Sequence, residues 1–164
     1  MYGIKANTRK LILNSFANGE LDLVMKFRAQ FGDKLFEHSF PGHQRLIFYS
    51  IKNGHFNIVN KYLETSKPTI STHEIRQITS HIAHPRRFKN WITEYNGNEK
   101  LQSLIPFDLL FGPLTQHIVG SYDINLIDDF LELYPEKFSY VVSQTSGSSK
   151  GIQLRRHLKL RELL

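Results

Sequence analysis

The chain has 164 residues, 40% of them hydrophobic and 22% charged, which is the length of one domain and enough to bury a core. It holds no Cys, which excludes disulfides and thiolate metal sites, and no apolar run approaches the ~20 residues of a membrane span. The N-terminal stretch lacks the apolar core of a signal peptide, so a soluble, intracellular, cytoplasmic protein is expected. The formal charge of +6 is uneven: residues 150–164 carry a net +4, against +2 for the preceding 149 residues.

In chain order, the spacing predicts a first helix pair over residues 7–31. Asn7 or Thr8 can cap it, because a side-chain oxygen there accepts from an orphan amide. Ile12, Leu13 and Phe16 recur at helical spacing, Asn18-Gly19 ends the helix, and Leu21, Val24, Phe27 and Phe31 form the apolar face of its successor. A connector with the breaker pair Pro41-Gly42 leads to a second pair over 43–65, again broken by Asn-Gly, at Asn53-Gly54. A third pair is expected over 71–95, interrupted at His84-Pro85, with Asn96-Gly97-Asn98-Glu99 as a turn.

A fourth pair is expected over 107–134. Its first helix is expected to kink or split at Gly112-Pro113, and its second to stop at Tyr134-Pro135. Residues 144–151, polar and glycine-rich, read as a loop. Residues 152–164 read as a basic amphipathic helix with Leu154, Leu158 and Leu160 inward.

Two of these pairs are copies. Residues 11–27 (LILNSFANGELDLVMKF) lie over 46–62 (LIFYSIKNGHFNIVNKY) without a gap and are identical at seven of 17 positions. The offset of 35 residues is that of a stacked helical repeat, and the pattern of 56–63 returns at 124–131.

Gly54, His55, Ile58, Val59, Tyr62 and Leu63 stand where the ankyrin repeat keeps G-H-x-x-I-V-x-x-L-L, and Gly19, Leu23, Val24 and Phe27 match in the first unit. The chain therefore resembles a divergent ankyrin-repeat protein. The family's Thr-Pro-Leu-His opening is absent. The expected fold is all-α: a short α-solenoid of about four ankyrin-like helix-turn-helix units with a C-terminal capping helix. The resemblance implies a protein-binding scaffold without a cofactor, of the kind that bacteria and viruses acting inside host cells use on host partners.

No motif carries catalysis. Asp128, Asp129 and Glu132 are acids on a helix with no Ser or His motif aimed at them. His73, His81 and His84 lack a full set of metal ligands, so no metal is expected. The expected function is a non-enzymatic protein–protein interaction module. Its contacts are placed at the connector tips, residues 36–43 and 67–72, and at the exposed ends of the first helices, with Phe40, His43 and Arg45 as the named candidates. The alternative is a binder of nucleic acid or of an anionic membrane surface. It would use the Arg86, Arg87, Lys89 cluster beside Trp91, and Arg155, Arg156 and Lys159 on the final helix.

Overall fold

A computed structural model describes residues 3–145 and 147–162. Ser146, Leu163 and Leu164, which belong to the expected loop and final helix, lie outside the described residues. The protein is all-α: among the described residues the regular elements are helices, and the β-type pairing is one isolated antiparallel bridge, Ser39–Arg45. The chain divides into two compact units, residues 1–74 with 94–105, and residues 75–93 with 106–164.

The first unit is built on the duplicated sequence. Helix α1 (Ala6–Asn18) and α2 (Leu21–Phe31) form one hairpin, and α3 (Leu46–Asn53) and α4 (Phe56–Leu63) the next. α1 packs on α3, and α2 on α4. The two turns share the conformation of their glycines. Gly19 has φ 77°, ψ 26° and Gly54 φ 77°, ψ 23°, the left-handed conformation that glycine adopts without steric cost. In both, the amide after the glycine returns to a serine carbonyl at 2.9 Å, Glu20 to Ser15 and His55 to Ser50.

Those serines are fully buried and small, which lets the first helices approach closely. Ser50 Oγ donates to the Phe16 carbonyl at 3.0 Å, and Asn53 Nδ2 to the Ala17 carbonyl at 3.1 Å. Phe36, from the connector, stacks on Tyr62 with centroids 5.1 Å apart and meets Phe16 edge-on at 5.5 Å. The helix α1 starts at Ala6 with Lys5 as its N-cap and no side-chain cap bond, so neither Asn7 nor Thr8 serves as the expected cap.

A short helix that the sequence pattern did not signal, α7 (Glu99–Leu104), completes this unit against α4. Asn98 caps it by accepting from the Leu101 amide at 3.0 Å, and Tyr95 holds its end by donating to the Ile105 carbonyl at 2.6 Å.

The second unit contains most of α5 (Thr72–Ile82) and of α6 (Phe88–Asn96), together with α8 (Phe107–Ser121), α9 (Ile124–Leu133), α10 (Phe138–Gln144) and α11 (Ser149–Glu162). Pro85 precedes α6 by three residues rather than opening it. α8 is one continuous helix with Pro113 inside it, so the expected split into two pieces does not occur. The backbone bond that Pro113 cannot make would reach the Leu109 carbonyl. Leu109 is 55% exposed, which places this missing bond on the solvent side of the helix rather than in the core.

Tyr122, after α8, adopts the same left-handed turn without being glycine, φ 53°, ψ 22°. An aromatic cluster forms the core here: Phe130 lies 5.7 Å from Phe111 and 5.3 Å from Tyr134. α11 begins at Ser149, earlier than expected, and buries Leu154 and Leu158. Leu160 is 65% exposed rather than inward.

Candidate functional site

A groove lies on the first unit, between α1, α3 and the turn that joins the two hairpins. The turn is set by its sequence. In Phe40-Pro41-Gly42-His43 the His43 amide returns to the Phe40 carbonyl at 2.9 Å, and Gly42 has φ 77°. Proline then glycine at the central positions is the signature of a type II turn. The Ser39–Arg45 bridge pinches its base.

That base is clamped by Arg45. Its guanidinium reaches Glu37 at 2.6 Å, Glu74 at 2.7 Å and the Thr69 carbonyl at 3.2 Å. Burial alone would lower the Arg45 pKa, but the two carboxylates outweigh it and raise it further. Burial would likewise raise Glu74. The Ser71 amide and hydroxyl together with Arg45 override it and hold that carboxyl below its ordinary value. Ser71 and Glu74 also cap α5 reciprocally: Glu74 accepts from Ser71, and the Glu74 amide donates to Ser71 Oγ at 3.2 Å.

The groove beside this turn has a volume of about 470 Å3. One face of α1 forms a wall, with Ala6, Arg9, Lys10, Leu13, Asn14 and Ala17 following one another at helical spacing. Phe40, Pro41, His43 and Tyr49 supply the other wall. Apolar and aromatic surface dominates, and among the described residues no carboxylate lines it. Arg9 is held in place: its Nε donates to the Ile4 carbonyl at 2.8 Å and its guanidinium lies 5.9 Å from the centre of the Phe40 ring. His43 Nδ1 lies 3.3 Å from the Tyr49 hydroxyl, and Lys52 Nζ lies 5.3 Å from the centre of the Tyr49 ring.

Phe40 and His43, singled out from sequence, thus line the groove, while Arg45 stands behind it as a structural clamp. Arg9, Lys10, Leu13 and Tyr49 were not singled out as contacts. The signal available was the exposed side of α1, which alternates cationic and apolar residues around the buried Ile12 and Phe16. A smaller cleft of about 360 Å3 lies between the segment after α4 and α7, with Lys67 and Lys100 in its lining.

Several basic side chains of the second unit have partners within it. Arg155 donates to Thr145 Oγ1 at 2.5 Å and to its carbonyl at 2.7 Å. Arg161 and His157 both meet the Asp128 carboxylate, at 2.5 and 3.0 Å. Arg87 donates to the His81 carbonyl at 3.3 Å, and Lys89 lies 3.2 Å from Glu132 and 3.9 Å from Asp129. Arg86, Arg87, Lys89, Arg155, Arg156 and Lys159 are all exposed, and Trp91 is buried at 3% exposure, out of reach of a stacking base.

Among the described residues no group of three His, Asp or Glu side chains is arranged to hold a metal ion. No helix among them is long and apolar enough to cross a membrane. No protein-family model, no curated protein and no solved structure matches the chain.

Proposed function

We propose that the chain is a non-enzymatic protein-interaction module built from about four ankyrin-like repeats, and that the groove beside Phe40 and His43 receives a segment of the partner. The observation that carries this reading is the groove itself. It is a largely apolar trough walled by the first helices of two successive hairpins and by the turn between them. Concave surfaces of this kind are where stacked repeats engage other chains. The matched turns at Gly19 and Gly54, and the third left-handed turn at Tyr122, support the repeat reading.

The reading through nucleic acid or an anionic surface has less to draw on. Of the six cations it requires, Lys89 is paired with Glu132, and Arg87 and Arg155 are tied to oxygens of His81 and Thr145.

Selection from a displayed library of random peptides tests the proposal, using the protein and a Leu13→Asp variant that places an acid on the α1 wall of the groove. Enrichment of peptides on the protein that is lost on the variant is the expected result. No groove-dependent enrichment, with binding to oligothymidine or to anionic vesicles instead, would overturn it.

A further inference from the structure

The groove is one-sided in charge. Its ionisable lining comprises Arg9, Lys10, His43 and Tyr49, and Lys52 stands over the Tyr49 ring. Lys10 is exposed, and among the described residues no carboxylate neutralises it. Arg9 is fixed by the Ile4 carbonyl and the Phe40 ring rather than by an acid, so its charge is oriented in advance at no further entropic cost. Elsewhere in the same unit, cations that serve the fold are matched: Arg28 by Asp33 at 2.6 Å, Arg45 by Glu37 and Glu74, Lys61 by Glu64 at 3.3 Å. Arg9 and Lys10, side by side on the groove wall, have no acidic partner among the described residues.

Resting on the protein-interaction reading above, we infer that the occupant of this groove is an acidic peptide segment with a single bulky apolar or aromatic anchor. The anchor fills the trough over Leu13 and Pro41, against the Phe40 and Tyr49 rings. Its flanking carboxylates meet Arg9 and Lys10 on the α1 side and Lys52 on the other. Asn14 offers an amide that both donates and accepts, which suits a peptide backbone. A volume near 470 Å3 lies within the range of about 300–1,000 Å3 in which concave sites enclose a compact group. Single-stranded nucleic acid also binds cationic grooves that carry rings, and it is an outcome that the test separates.

The test uses polymers of defined chemistry: a random copolymer of glutamate and tyrosine, polyglutamate without an anchor, a copolymer of lysine and tyrosine, and oligothymidine as the phosphate polymer. The expected order is clear binding of the Glu–Tyr copolymer, much weaker binding of polyglutamate, and none of the Lys–Tyr copolymer. Binding should fall with added salt. Reversal of two charges in Arg9→Glu, Lys10→Glu should weaken the Glu–Tyr copolymer roughly tenfold or more. Because the polymers are varied independently, the order holds its meaning even if that variant folds poorly.

Equal binding of both tyrosine copolymers, or oligothymidine binding that the double variant abolishes, would overturn the inference. Its failure is distinct from failure of the underlying reading. Groove-dependent enrichment of neutral or basic peptides from the displayed library would remove the acidic occupant and leave a protein-binding groove standing. Absence of any groove-dependent peptide would remove both.

Discussion

A β-carbon on Gly19 would stand 2.5 Å from Nδ1 of His55, while Nε2 of the same ring lies 2.8 Å from the Ala17 carbonyl. A carbonyl can only accept, so Nε2 carries the proton. One glycine therefore serves two purposes: it adopts the left-handed turn and it leaves room for the next hairpin's histidine. Gly19→Ala should cost about 1–2 kcal/mol of backbone strain. It should cost about 1 kcal/mol more for the displaced His55 bond. Gly42→Ala, with the same φ of 77° but no atom within 4 Å of the added carbon, should show the strain alone. Amide exchange of α1 and α3 measures both, and equal losses in the two variants would contradict the packing role of His55.

The Tyr62 hydroxyl is buried and has no hydrogen-bond partner among the described residues. An unsatisfied hydroxyl costs about 1–3 kcal/mol of desolvation. Tyr62→Phe keeps the stack on Phe36 and removes that cost, so it should leave the first unit as stable or more stable, measured by amide exchange in α4. A marked loss would mean that the hydroxyl has a partner.

Glu74 supplies a pH dependence whose sign is fixed. Its folded carboxyl is held below the ordinary value of 4.5. The stability it contributes is thus complete above that value and lost as pH falls through the lower folded one. Glu74→Gln should be less stable at neutral pH and should flatten this part of the acid limb. His38, whose imidazole is lowered by burial and by Arg9, adds a separate loss beginning below 6.5 that the variant retains. Denaturant midpoints from pH 7 down to acid measure both, and parallel curves for variant and parent would contradict the account.

In α11, Arg155 is tied to Thr145 and Arg156 is exposed. Arg155→Ala should speed amide exchange across the start of α11, with a loss of about 1–2 kcal/mol for a charge-assisted bond to a partly buried carbonyl. Arg156→Ala should change exchange little. Asp128→Ala, which frees both His157 and Arg161, should act at the other end of the same helix.

What the sequence made legible were the features written locally. The duplication of 11–27 in 46–62 appears as two turns with nearly identical dihedrals, and the Phe-Pro-Gly-His tetrad as a left-handed turn. The all-helical class followed from the same spacing. Short helices were missed because two turns leave little periodicity: α7 spans six residues and α10 seven. Pairings across long separations were also hidden. Arg45 finds Glu74 29 residues away, and Arg161 finds Asp128 33 residues back, so charge clusters that read as free surface are partly internal. The groove needed three separate segments to meet, and no single stretch announces it.

The most direct test of the central claim is amide exchange of the protein with and without the Glu–Tyr copolymer, read along the whole chain. The account predicts slowing at residues 6–17 and 38–49, the walls of the groove, with α11 unchanged. Slowing at residues 149–162 with the groove segments unaffected would contradict it.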